Sequence, residues 1–134
     1  MNTNWSALAV EAVRVSKYAY QPYSKFAVGC AVLGADGVVY SGCNVENVSY
    51  GLSNCAERGA VFAMVAHGCR KIVAVVIYTP TWSATTPCGA CRQVIVEFGE
   101  ACEIRSVCDS SDTKSWMASA LLPEAFDSAA APNM

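Results

Sequence analysis

The chain has 134 residues, of which 54% are hydrophobic and only 15% charged, so it holds one domain with ample core and a surface short of charge. Nine Lys and Arg against eleven Asp and Glu leave a net charge of −2, with no basic run. Polynucleotides and anionic membranes are gripped mainly through Lys and Arg, so the composition argues against both, and the longest apolar run, Ile72–Tyr78, is far short of the roughly 20 residues of a membrane span.

Trp5, Leu8, Ala12, Val15 and Ala19 are spaced as on a helix and predict one over 4–20, stopping before Pro22. Segments 26–35 and 38–44 read as two strands around Asp36-Gly37, a hairpin signal. The polar stretch 45–54 reads as a loop. Segment 55–67 has helical periodicity through Val61, Met64 and Val65 and ends at Gly68. Ile72–Tyr78 is an unbroken apolar run, as expected of a strand buried on both faces. After a loop over 79–87, a helix over 88–98 ends at Gly99, a strand follows over 103–108, and a short helix over about 115–122 precedes Pro123. The tail 127–134 is expected to be mobile, and residues 1–134 to form one domain. The order α-β-β-α-β-α-β-α predicts an α/β domain with helices on both faces of one mixed sheet.

No positively charged segment precedes an apolar stretch at the N-terminus, so a cytoplasmic location with reduced thiols is expected. Eight cysteines in that setting read as metal-binding, reactive or core residues rather than as a disulfide framework. The surplus of apolar surface points to burial between subunits, hence a homo-oligomer.

Two segments carry the chemistry: Cys55-Ala56-Glu57-Arg58 and Pro87-Cys88-Gly89-Ala90-Cys91-Arg92. Each sits where a loop enters a predicted helix. A helix N-terminus carries free N–H groups and about half a positive charge, which favours thiolate, the form that binds zinc. Cys88 and Cys91 form a chelating pair, and Cys55 supplies a third thiolate if the two helix ends meet. Glu57 then lies beside a three-ligand metal with an open fourth position, the layout of a catalytic zinc. His67, the only histidine, lies about twelve residues beyond Cys55, roughly 18 Å along a helix, and does not share that metal. Cys30 and Cys43 are the rival fourth ligands, and would close the site as a structural zinc module. Three thiolates over-neutralise a dication, so a positive group is needed to ionise a bound water; Arg58, expected to hydrogen-bond the ligand sulfurs, and Arg92 follow the two motifs.

Together with Pro22-Tyr-Ser-Lys-Phe26, Gly42-Cys-Asn-Val-Glu-Asn47 and Leu121-Leu-Pro-Glu-Ala-Phe126, these motifs resemble the small cytidine deaminases, in the three-cysteine form of the zinc deaminase signature, over about residues 5–126. The resemblance implies a three-layer α/β/α sandwich with a mixed sheet, one zinc per chain on Cys55, Cys88 and Cys91, and Glu57 as the proton shuttle. It implies that Asn44 and Glu46 hydrogen-bond the ribose hydroxyl, that Phe26 stacks near the base, and that the backbone around Ala56 contacts the pyrimidine. It implies a homotetramer in which Tyr50 and Phe126 help complete a neighbour's site. The activity implied is hydrolytic deamination of cytidine and 2′-deoxycytidine in pyrimidine salvage, with a small nucleoside as substrate and no nucleic acid or membrane partner. The nearest rival is a deaminase of a cytosine nucleoside antibiotic of the blasticidin type, which lacks the Asn44–Asn47 segment. Two places depart from the family pattern: Gly59 stands where Thr is often found, and Cys102 to Trp116 follows no family pattern.

Overall fold

The computed structural model describes residues 2–127, so the remainder of the expected mobile tail lies outside the described residues. Asn4 opens the first helix by accepting a hydrogen bond from the Ala7 N–H at 3.1 Å. Helix α1 (Trp5–Ser16) ends four residues earlier than the apolar spacing predicts. The N–H groups of Lys17, Tyr18 and Ala19 each bond back three residues, and the Tyr20 N–H then turns to the Asn44 carbonyl.

Strands β1 (Gly29–Gly34) and β2 (Val39–Cys43) form the expected hairpin. Asp36 Oδ1 accepts from the Val38 N–H, and Gly37 takes a φ of +80°, a conformation that favours glycine. Residues 26–28, expected within the strand, lie outside the ladder. The Asn44 side chain takes the partner strand's place, accepting from the Val28 N–H at 2.8 Å and donating to the Phe26 carbonyl at 2.7 Å.

Helix α2 (Ala56–Ala66), strand β3 (Ile72–Tyr78), helix α3 (Gly89–Gly99) and strand β4 (Glu103–Val107) follow close to the expected bounds. The helix expected over about 115–122 is instead a fifth strand, β5 (Thr113–Met117), followed by a single 3₁₀ turn, Ala118–Leu121. β5 pairs antiparallel with β4 as an edge strand, and Thr113, Lys114 and Ser115 face water, so it shows no apolar run.

The sheet order is β2-β1-β3-β4-β5, with β3 and β4 parallel and every other pair antiparallel. Alternate residues of the central strands face two cores. Ala31, Ala74 and Val76 pack on Leu8 and Ala12 of α1, and Cys30, Val32, Val75 and Ile77 pack on the α2–α3 side with Val61, Met64 and Ile95. This is the three-layer arrangement that the motifs imply. In register, Gly29 pairs with Cys43 and Tyr78, and Tyr78 with Val107, so the segments that follow β2 and β3 gather at one end of the sheet.

α2 reaches that end by lying close on β2. A Cβ placed on Gly42 would fall 2.4 Å from the Ala60 nitrogen and 2.6 Å from the Ala56 carbonyl oxygen, both backbone atoms that cannot yield alone. At Gly59, inside α2, the nearest atom to such a Cβ is 3.7 Å away, an ordinary contact. Gly42→Ala is expected to lower Tm by about 4–12 °C through overpacking. Gly59→Ala is expected to raise it by about 4 °C, since glycine inside a helix costs about 1 kcal/mol against alanine. Thermal unfolding of both variants checks the pair, and equal shifts of one sign would contradict it.

Candidate active site

Both site helices begin at a cysteine. Cys55 precedes α2 and Cys88 precedes α3, each in extended backbone at the cap position and neither making a side-chain capping bond. A Ser, Thr, Asp or Asn there would satisfy a free N–H and contribute about 1 kcal/mol. Here that position holds sulfur, and the free N–H groups and the helix dipole supply positive potential around it.

The two caps meet. Cys55 Sγ lies 3.7 Å from Cys88 Sγ, and the sulfurs of Cys55, Cys88 and Cys91 all lie within 4.8 Å of one another. Tetrahedral zinc with Zn–S bonds of about 2.3 Å separates its sulfurs by about 3.8 Å. All eight cysteines are free thiols. Cys91 is buried, Cys55 half-buried and Cys88 exposed. Cys30 sits in the core and Cys43 on β2; neither joins the cluster, which is the only such grouping among the described residues. The donor set is therefore three thiols with a fourth side open, and it fits one zinc per chain.

The protons on these thiols are unevenly shared. The Cys55 thiol is drawn down to about 5, chiefly by a hydrogen bond from Cys91, with Arg58 and Cys88 adding to it. Cys91 is pushed up, first by that same bond and then by burial. Arg58 donates from a terminal guanidinium nitrogen to Cys55 Sγ at 3.3 Å, as its place after the motif led us to expect. Arg92 does otherwise: its Nε donates to the Pro87 carbonyl at 2.8 Å and another nitrogen to the Leu121 carbonyl at 3.1 Å. It braces the loop that carries Cys88 rather than touching sulfur.

Glu57 is the second residue of α2 and only 5% exposed. Burial raises its pKa above the usual carboxylate range, with the Cys55 thiolate adding to the shift. It lines a cavity of about 540 Å³ together with Cys55, Ala56, Cys88, Phe26, Asn44 and Glu46. Both Glu46 oxygens are engaged at the rim: one accepts from the N–H groups of Tyr23 and Ser24 at 3.0 and 3.1 Å, and the other from the Ser24 hydroxyl. Glu46 and Asn44 thus hold the segment that presents Phe26.

Tyr50 and Phe126 lie outside this cavity. Tyr50 is exposed, edge-on to Tyr23 with ring centroids 5.7 Å apart. Phe126 is exposed, and its carbonyl accepts from Gln93 Nε2 at 3.0 Å. His67 caps the far end of α2 and packs on Tyr40, away from the thiols as expected. Motif reading missed Thr79, Thr85 and Thr86, which line the cavity wall from the loop between β3 and α3. Their only sequence signal is that they lead into Pro87-Cys88.

Residues 3–107 match the family described as the cytidine and deoxycytidylate deaminase zinc-binding region. The chain belongs to this family. The chain is 50% identical over 91 residues to the cytidine deaminase of Sporosarcina psychrophila, covering 68% of this chain and 67% of that protein. It superposes on the 1.6 Å crystal structure of cytidine deaminase from Burkholderia pseudomallei with a TM-score of 0.88 and 44% identity, covering 93% of this chain and all of that one. The crystal structure of cytidine deaminase from Mycobacterium tuberculosis gives a TM-score of 0.80 at 40% identity, over 94% of this chain and 99% of that one.

In this deaminase-family fold Arg58 is the single cation within hydrogen-bonding distance of the described thiol cluster. Arg58→Ala is expected to weaken zinc retention about 10–100-fold, the usual worth of a group that hydrogen-bonds a metal ligand. Competition with a chelator, followed by metal quantification, reads this directly. Wild-type retention in the variant would contradict it.

Proposed function

We propose that this protein is a zinc-dependent cytidine deaminase, converting cytidine and 2′-deoxycytidine to the corresponding uridines with release of ammonia. The observation that carries the reading is a buried carboxyl, Glu57, set two residues after one of three converging thiols in a cavity of nucleoside size. When bound by Cys55, Cys88 and Cys91, zinc supplies Lewis-acid activation of water near neutral pH.

The remaining work falls to the protein. Glu57 takes a proton from the attacking water and hands it to the ring nitrogen next to the reacting carbon. It then takes the water's second proton from the hydroxyl now on that carbon and carries it to the departing amine, so that the hydroxyl becomes the carbonyl of uridine as the carbon–nitrogen bond breaks. Water and cytidine become uridine and ammonia, and Glu57 ends as it began. Burial suits the task, because it brings the carboxyl's pKa up toward the working pH. Phe26 stacks near the base, the backbone at Ala56 contacts the pyrimidine, and Asn44 and Glu46 meet the ribose hydroxyl from their places at the rim. Two carboxylates and no Lys or Arg line the cavity, which disfavours a nucleotide phosphate.

We read the assembly as a homotetramer in which Tyr50 and Phe126 reach a neighbour's site. Their exposure, with that of Val10, Val48, Leu52 and Phe62, supports burial between copies. Among the described residues no helix is long and apolar enough to cross a membrane. Eight free thiols support a cytoplasmic enzyme of pyrimidine salvage. The antibiotic-deaminase reading is not favoured, since Asn44 and Glu46 are both present at the cavity.

Purified, zinc-loaded protein is expected to release ammonia from cytidine. Glu57→Gln is expected to keep its zinc and lose at least about 10²–10⁴-fold in kcat, the range for general acid–base help. A variant that retains both zinc and turnover would refute the role of Glu57. Free cytosine and cytidine monophosphate are expected to be poor substrates, cytosine by about 10⁴-fold for want of the ribose hydroxyl. Comparable kcat/KM for cytosine and cytidine would exclude the role given to Asn44 and Glu46.

A further inference from the structure

The β4–β5 hairpin grips the loop between β3 and α3. Asp112 Oδ2 accepts from the Ala84 N–H at 2.8 Å, and Lys114 Nζ donates to the Ala84 carbonyl at 3.2 Å. The Ser106 hydroxyl, fully buried, accepts from the Thr85 N–H at 3.2 Å. The backbone from Ala84 into Thr85 is thus held by three side chains, and Thr85 lines the cavity three residues ahead of Cys88.

Its hydroxyl belongs to a chain whose proton directions follow from counting. The Thr81 hydroxyl lies 2.7 Å from the Ser83 carbonyl oxygen, which only accepts, so Thr81 is the donor. Thr81 has no second proton to give. The contact of 2.8 Å between Thr79 Oγ1 and Thr81 Oγ1 is therefore donated by Thr79. Thr79 is then spent, so Thr85 donates across the 3.1 Å to Thr79 Oγ1. The proton of Thr85 points into the loop, and no described group donates to its oxygen. Thr85 Oγ1 is left with free acceptor lone pairs at the cavity wall.

Resting on the deaminase reading above, we propose that Thr85 tells substrate from product: its oxygen accepts a hydrogen bond from the exocyclic amine of cytosine and opposes the carbonyl that replaces that amine in uracil. The amine is on the reacting carbon, which must lie by the thiol cluster and Glu57, and Thr85 shares its loop with Cys88. An amine is a donor and a carbonyl only an acceptor, so a hydroxyl fixed with its proton turned away distinguishes them. Thr79 is a positioning residue: it fixes that proton and does not itself read the base. The consequence is a site that releases uridine readily.

The test compares wild type, Thr85→Val, Thr85→Ser and Thr79→Val, all zinc-loaded. It reads kcat/KM for cytidine by ammonia release and Kd for uridine by calorimetry. Thr85→Val is expected to lower kcat/KM about three- to tenfold, the worth of one neutral hydrogen bond, without weakening uridine binding. Thr85→Ser restores the wild-type ratio. Thr79→Val frees the Thr85 proton to turn into the cavity, so uridine binds several-fold tighter while cytidine kcat/KM falls. A folded Thr85→Val protein that matches wild type in both constants overturns the proposal, as does Thr79→Val with unchanged uridine binding. A wild type that binds uridine yet releases no ammonia from cytidine overturns instead the deaminase reading itself.

Discussion

The meeting of two helix N-termini at Cys55 and Cys88 is the constraint on which the site depends. Each helix gives up a conventional cap, and the two sulfurs come to 3.7 Å. Without a metal this arrangement is electrostatically awkward: the thiols compete for protons, with Cys55 ionising easily and Cys91 resisting. A dication among them resolves the competition, and Arg58 and the free helix N–H groups offset the excess negative charge. The same geometry puts the site off the N-terminal end of α2, where Glu57, in the first turn, shares it with Cys55 instead of facing away around the helix.

Packing makes that meeting reproducible. α2 lies on β2 with no room for a side chain at Gly42. α3 is set by the β3–α3–β4 crossover and by Arg92, which ties the Pro87 carbonyl to the Leu121 carbonyl. The hairpin β4–β5 adds the third support through Ser106, Asp112 and Lys114. The cavity is thus bounded on one side by the Asn44–Phe26 linkage and on another by a braced threonine loop. Both boundaries are hydrogen-bonded to side chains rather than to strand partners, which lets irregular backbone be rigid.

Much of the site could be read in the sequence because its logic is local. Two cysteines three apart before a helical run, and a Cys-Ala-Glu before another, announce both chemistry and position. The core helices and Ile72–Tyr78 follow from periodicity and unbroken hydrophobicity. β5 escaped notice because an edge strand with one face in water carries no apolar run, while Ala118, Leu121 and Leu122 nearby mimic a helix. Residues 26–28 have strand composition, but Asn44, sixteen residues from Val28, takes their backbone bonds. The same Asn44 and Glu46 that read as ribose contacts also hold the loop of Phe26, a second duty no spacing shows. Thr79 and Thr85 gain meaning only from a chain of hydroxyls closed by tertiary contacts.

The central claim is a zinc held by three thiolates of this chain, with its fourth position left to a water beside Glu57. X-ray absorption spectroscopy at the zinc edge, on purified protein without substrate, tests it most directly. Three sulfur neighbours at about 2.3 Å and one lighter oxygen neighbour at about 2.0–2.2 Å are the predicted result. Four sulfur neighbours would contradict the account, since they would close the metal and leave Glu57 no water to deprotonate.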